Sequence, residues 1–392
     1  MIRRVFSGDT VTITGVVLGL ISLPIGWLTL KPSRISAGTS LGLHEIADWA
    51  GLALILALWL ACFTLSYFRK GKLPAAMQGA AANVILVLSF VLSGLSATRL
   101  LESEAAYARV SLGAGFWMTC IAAYIVIFAS RQRLDNSPVL RNIVSWTGIV
   151  ILLFLLIAGW FKDLSLMQEF AGREERFVQE LIHHIFLVGI GVAIGTILGI
   201  LLGIWATRNK RAEKPIFFIA NITQTIPSLA LFGLLIAPLS ALSFAFPILR
   251  EIGIRGVGDT PAIIALIIYS LLPITRNTYV GLRQLDTAVI DAGIGMGMSR
   301  MQVFRKIEVP LAAPLVLEGV RTASVQSVGL AAIAALIGAG GLGWFIFQGL
   351  GQAAADLILL GAIPIIVLAI IVDAVMRTIV RLATPEGLAG GN

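Results

Sequence analysis

Ten apolar runs separated by short polar stretches dominate the chain. They lie at approximately 11–30, 47–66, 76–97, 112–129, 142–161, 182–206, 216–246, 261–280, 311–337 and 357–376. An α-helix needs roughly 20 residues to cross a hydrocarbon core of about 30 Å, so the pattern predicts an all-α integral membrane protein with about ten transmembrane helices. The run at 216–246 is too long for one span, since its helix would reach about 46 Å. Pro227 and Pro238 are predicted to break it. The polar cluster Asn221, Thr223, Gln224, Thr225 and Ser228 precedes the first bend. Broken polar backbone at membrane depth lines a cavity or packs within protein. Asn221, Gln224 and Ser228, together with Gln326 in the ninth run, are therefore candidates for a translocation pathway, and hydrogen bonding between helices is the competing role.

One polar, basic island interrupts the apolar pattern at 291–310. Asp286 is placed to cap a short helix ending near Met296, and Gly293, Gly295 and Gly297 favour a turn after it. Ser299 with Gln302 three residues on is a capping-box pattern, which predicts a second helix from Arg300 to Glu308, ended by Pro310. On that helix Met301, Phe304 and Ile307 share a face, predicting an apolar ridge flanked by Arg300, Arg305, Lys306 and Glu308. Such a ridge suits a groove on a soluble partner, whereas a plain solvated hairpin would have no such use.

Composition changes the picture only by making it firmer. The chain is 58% hydrophobic and 13% charged, with a mean hydropathy of +0.94, against about a quarter charged in soluble domains. The net charge of +8 does not read as a nucleic-acid surface, because the basic residues are scattered over short loops. Nineteen Lys and Arg fall on the side that holds the N-terminus and nine on the other. By the positive-inside rule both termini and the 291–310 island are expected in the cytoplasm. The first apolar run continues to Leu30 without a small-residue cleavage site and is read as a retained span. Cys62 and Cys120 have no partner spacing, and no metal site is expected. His183 and His184 diverge by about 100° on a helix and read as interfacial histidines. Glu318 with Arg321, and Asp373 with Arg377, are spaced to pair near the cytoplasmic ends of their spans. Gly338-Ala-Gly340-Gly341-Leu-Gly343 matches a dinucleotide fingerprint by letter, but no strand precedes it. Gly338, Gly340, Gly341 and Gly343 suit instead a gate or tight turn on the external side.

Asp291-Ala292-Gly293, Gly297, Ile307 and Pro310 together resemble the EAA loop of bacterial ABC importer permeases, the element that docks into an ATP-hydrolysing partner. Asp291 stands where the family has Glu, Gly293 where it has a second Ala, and Val309 where it has Leu. Residues 175–382, with the coupling loop at 281–310, resemble the five-helix core of methionine-type importer permeases. Within them, Gln224-Thr-Ile-Pro-Ser-Leu-Ala-Leu-Phe-Gly and Ala335-Leu-Ile-Gly-Ala-Gly-Gly-Leu-Gly look like segments of osmoprotectant permeases for glycine betaine, choline or carnitine. Residues 1–174 form a further five-helix extension, where Ala108-Arg-Val-Ser-Leu-Gly-Ala-Gly-Phe-Trp and Phe161-Lys-Asp-Leu-Ser-Leu-Met are similar to the larger Yeh-type permeases. Residues 383–392 are expected to be a cytoplasmic tail.

The resemblance implies a multi-pass permease of the bacterial inner membrane with no catalytic residues and no cofactor of its own. It implies ATP and magnesium on separate ABC ATPase subunits, a second permease subunit, a periplasmic solute-binding protein and surrounding lipid as partners. The solute would be a small osmoprotectant such as glycine betaine. Import of another small solute such as an amino acid is the alternative. An ion-coupled secondary transporter would need related halves and a buried coupling carboxylate, and a membrane enzyme would need converging catalytic side chains.

Overall fold

A computed structural model describes residues 8–34, 36–68, 71–102, 104 and 107–385. Arg3, Arg4, Arg69, Lys70 and the expected tail beyond residue 385 lie outside the described residues. Among those described, nine helices are long and apolar enough to cross a membrane. The chain divides into two compact units after Gly172.

The first unit contains α1 (Thr10–Ser22), β1 (Leu28–Lys31), β2 (Thr39–Leu41), α2 (Leu43–Ile46), α3 (Trp49–Ser66), α4 (Lys72–Glu102), β3 (Arg109–Leu112), α5 (Ala114–Arg133), α6 (Pro138–Ile157) and α7 (Ser165–Ala171). The expected span at 11–30 is helix only as far as Ser22, and its last residues, from Leu28, are strand. Helix α1 has 13 residues, Pro24 and Gly26 follow it, and the chain extends into β1. The all-α expectation therefore omits a small antiparallel sheet, ordered β2-β1-β3, with Leu28 opposite both Leu41 and Leu112. Below it, α1 and α4 pack on α5 around Trp27, Trp59, Ile85 and Phe116. The buried Asn83 of α4 ties α6 at both ends of its amide, donating to Val144 O at 2.9 Å and accepting from Gly148 N at 3.0 Å. A polar side chain at membrane depth is tolerated when it is fully bonded in this way.

The second unit contains α8 (Glu174–Arg208), α9 (Lys210–Thr225), α10 (Ser228–Ala245), α11 (Pro247–Glu251), α12 (Asp259–Arg283), α13 (Thr287–Gly295), α14 (Arg300–Val303), a π-helical turn (Phe304–Glu308), α15 (Val309–Ile333), a 3₁₀ turn (Ala334–Ile337), α16 (Gly343–Gly351) and α17 (Ala355–Ala383). Helices α8 and α12 pack closely for a reason visible in sequence. Gly191, Gly195, Gly199 and Gly203 recur every four residues on one face of α8. A Cβ at these positions would come within 2.5–2.8 Å of Leu266, Ser270, Ile274 and Thr278, which recur every four residues on α12. Small residues allow membrane helices to approach until backbone meets side chain, and dispersion then replaces the missing hydrophobic drive. Helix α15 packs on α12 and α17 on α15, with Ser270 and Ser327 in contact at 3.3 Å.

Only one of the two expected proline breaks is present. Ile226 is extended (φ −69°, ψ 125°) and Pro227 leads α10, as expected of the residue before a proline and of proline at a helix start. Pro238, by contrast, lies inside α10. A proline removes one backbone donor, and its neighbours continue the helix where the surrounding packing holds them.

Candidate functional site

The polar island folds as a helical hairpin built by local signals. Asp286 accepts from Ala288 N at 2.9 Å and starts α13. Gly297, at φ +82°, ends it. Its N–H bonds Ile294 O at 2.9 Å and the next N–H, of Met298, bonds Gly293 O at 3.1 Å, the paired pattern of a left-handed helix stop. Ser299 then caps α14 reciprocally with Gln302, the Ser299 N–H donating to Gln302 Oε1 at 2.7 Å. Helix α14 does not stop before Pro310 as expected. It passes through the π turn into α15, Val309 N bonding Phe304 O. The wider turn changes the ladder just where Pro310 has no N–H to contribute.

Sequence places the apolar ridge only in part correctly. Met301 is exposed, but Phe304 and Ile307 are half-buried. A Cβ on Gly293 would lie 2.6 Å from Ile307 Cδ1, so Ile307 fills the space that the buried Gly293 leaves. The exposed apolar groups are instead Val289, Ile294, Met296 and Met301, beside the exposed Arg300, Arg305 and Lys306. Asp291, Ala292, Gly297 and Pro310 are also exposed. A cavity of about 510 Å³ opens between this hairpin and the end of α8, lined by Ile204, Arg208, Ile294, Met301, Phe304 and Glu308 among others. There the buried Glu308 pairs with Arg208 of α8, whose guanidinium also lies 5.6 Å from the centre of the Phe304 ring. This tie spans 100 positions of sequence, and only the charge of the two residues hints at it.

At the α9–α10 break, Gln224 Nε2 donates to Tyr269 O at 2.9 Å and the Tyr269 hydroxyl donates to Ile226 O at 2.6 Å. The carbonyl freed by the break is thus satisfied by α12, as membrane depth demands. Asn221 and Gln326 are exposed on this chain and Ser228 is half-buried. The expected pairs of α15 and α17 join into one network: Arg321 bonds Glu318 at 3.0 Å and Asp373 at 2.6 Å, and Asp373 also bonds Arg377.

At the other end of α8, Gly338, Gly340 and Gly341 adopt φ of +81°, +71° and +76° and form the turn between the 3₁₀ segment and α16. Gly343 presses on the backbone of Ala332 and allows no side chain. The two histidines part company here, because adjacent helical positions face different neighbours. His183 meets Asp259 at 3.0 Å, whereas His184 is fully buried against Val328 O at 3.0 Å rather than interfacial. Besides Arg208 and Tyr269, sequence reasoning missed Glu180, buried beneath the glycine turn.

Residues 195–384 match the family model described as binding-protein-dependent transport system inner membrane component. The chain is also 40% identical over 207 residues to the glycine betaine/carnitine/choline transport system permease protein OpuCB of Bacillus subtilis (strain 168), covering 53% of this chain and 88% of that protein. The chain belongs to the ABC transporter permeases. This permease further matches, at residues 8–167, the model described as ABC transporter permease YehY, N-terminal domain. It is 39% identical over 205 residues to the osmoprotectant import permease protein OsmW of Salmonella typhimurium (strain LT2), covering 52% of this chain and 90% of that protein. A solved structure of the MetNI methionine ABC transporter in an inward-facing conformation aligns with a TM-score of 0.46 at 23% identity, covering 53% of this chain and 96% of that one.

Proposed function

We propose that this permease carries a small quaternary-amine osmoprotectant, of the glycine betaine, choline or carnitine class, into the cell, driven by ATP that a partner hydrolyses. The observation that carries the solute class is the 40% identity to the Bacillus subtilis permease named for those solutes. The chain hydrolyses nothing itself in this reading; ATP and magnesium belong to the ABC ATPase subunits. Residues 286–310, with Asp291, Ala292, Gly293, Gly297, Ile307 and Pro310, form the ATPase dock. In support, the hairpin exposes Ile294, Met296 and Met301 among basic residues, a surface suited to a soluble groove. The nineteen-to-nine basic asymmetry favours the dock and both termini on the cytoplasmic face of the inner membrane. A second permease subunit completes the pore and an external solute-binding protein delivers to it. The solute passes Asn221, Gln224, Ser228 and Gln326, and the turn of Gly338, Gly340, Gly341 and Gly343 gates the external mouth.

The test is reconstitution in vesicles with the cognate ATPase and binding protein. Glycine betaine, choline or carnitine should raise ATP hydrolysis several-fold and accumulate in the lumen. Stimulation by amino acids with none by quaternary amines would refute the solute class, and accumulation without nucleotide would refute the ATP-driven mechanism.

A further inference from the structure

Helix α8 has 35 residues and reaches about 52 Å, so its first turns stand clear of a hydrocarbon core of about 30 Å. Those turns hold Glu180, which is 7% exposed. A carboxylate this buried is costly unless it is paired, and Glu180 is paired on both oxygens. Its Oε1 accepts from Arg176 Nε and Nη2, each at 2.7 Å. Its Oε2 accepts from Gly341 N at 2.6 Å, in the glycine turn 161 positions away. Arg176 in turn lies 4.3 Å from the centre of the Trp344 ring, just past the same turn. One charged pair on α8 therefore grips the turn on both sides, by a directed hydrogen bond and by a cation–π contact.

The gripped segment is a turn of glycines. Its 3₁₀ start, Ala334–Ile337, is the tightened last turn that ends α15. The glycines that follow impose no side-chain barrier at positive φ. A Cβ at Gly340 would lie 2.8 Å from Glu180 Oε2 and one at Gly341 would lie 3.0 Å from His184 Nδ1, so the turn rests directly on α8. A carboxylate is stable when dry and fully bonded or when hydrated, and costly in between. That makes the contact two-state, unlike an apolar anchor, which would hold equally well through intermediate positions.

We propose that Glu180, oriented by Arg176, is the positioning residue that latches the 338–343 turn in its seated state. The proposal rests on the gating role given above to those glycines, and deepens it by naming what holds the gate. The experiment uses the complex of this permease with its ATPase in detergent, with Cys62→Ala and Cys120→Ala removing native thiols and Ala339→Cys reporting on the turn. Ala339 is buried, so its cysteine should react slowly with a maleimide. Glu180→Ala should raise the labelling rate at least tenfold. Glu180→Gln, which keeps an oxygen for Gly341 and loses the ion pair, should give an intermediate rate. Unchanged labelling in Glu180→Ala overturns the proposal, and a lowered melting temperature beside unchanged labelling would mark Glu180 as merely structural. Faster labelling with unaltered transport per folded molecule would uphold the latch and refute the gating role instead.

Discussion

Removing Arg208 should uncouple the hairpin from the rest of the core while leaving the fold standing. Arg208 closes α8 and reaches the π turn by two contacts, the carboxylate of Glu308 and the face of Phe304. Losing one partner of a fully buried pair costs about 3–5 kcal/mol, whereas exposed pairs are worth about 0–1 kcal/mol. Here the side chain of Glu308 is 10% exposed and that of Arg208 is 52% exposed. The pair belongs between those limits, at about 2 kcal/mol, and the Phe304 contact adds about 0.5 kcal/mol at a half-open site. A loss of that size lowers the equilibrium constant between seated and released hairpin by roughly 30-fold to 100-fold, since about 1.4 kcal/mol is tenfold. The assay is a double-mutant cycle of Arg208→Ala and Glu308→Ala, read as the affinity of the permease for its ATPase and as solute moved per ATP hydrolysed. We expect a coupling energy of about 2 kcal/mol, with Arg208→Lys keeping part of it because it retains charge without the planar fork. Additive effects, with coupling under about 0.5 kcal/mol, would refute the reasoning.

Gly293→Ala should be tolerated, because the contact it makes is with the flexible end of Ile307, while Gly293→Leu should destroy ATPase association by forcing α13 and the π turn apart; pull-down from membranes distinguishes them. Gly297→Ala meets no atom within 4 Å, so its effect is backbone strain of about 1 kcal/mol at φ +82°, seen as a modest loss of coupling with normal insertion. Gly199→Leu should abolish folding, since the ladder on α12 leaves no room for it, and size-exclusion chromatography should find aggregate. Gln224→Ala should lower the maximal transport rate per folded molecule if the amide lines the pathway; a fall in melting temperature alone, with transport intact, would assign it to the Tyr269 clamp.

What was legible in sequence was what depends on near neighbours. Asp286, Ser299 and Gln302 announce their caps because the bonds span two or three residues, and Pro227 breaks its helix through the residue just before it. Nine of the ten expected spans follow from length and hydropathy alone. Long-range ties were silent: Glu180 reads as an ordinary acid at the start of a helix until Gly341 is folded onto it, and Glu308 reads as a solvated flank until Arg208 arrives. Pro238 and Pro310 misled for the opposite reason. Each carries a strong local signal, and each is overruled: Pro238 lies exposed inside a continuous α10, and Pro310 enters the first turn of α15 just after the π turn. The strands near Leu28 were hidden because an apolar run of that length satisfies the helix template as well as the sheet.

The π turn at Phe304–Glu308 amounts to one residue inserted into an otherwise continuous helix. Each residue of an α-helix advances the angular phase by about 100°. A residue removed from the α-helical part of α15 would rotate Arg300 and Met301 by about that angle, whereas one removed from the π turn would be absorbed as the ring closes over four residues instead of five, leaving their bearing nearly unchanged. The bearing that this hairpin presents is thus encoded by where along the helix residues are counted rather than by their chemistry.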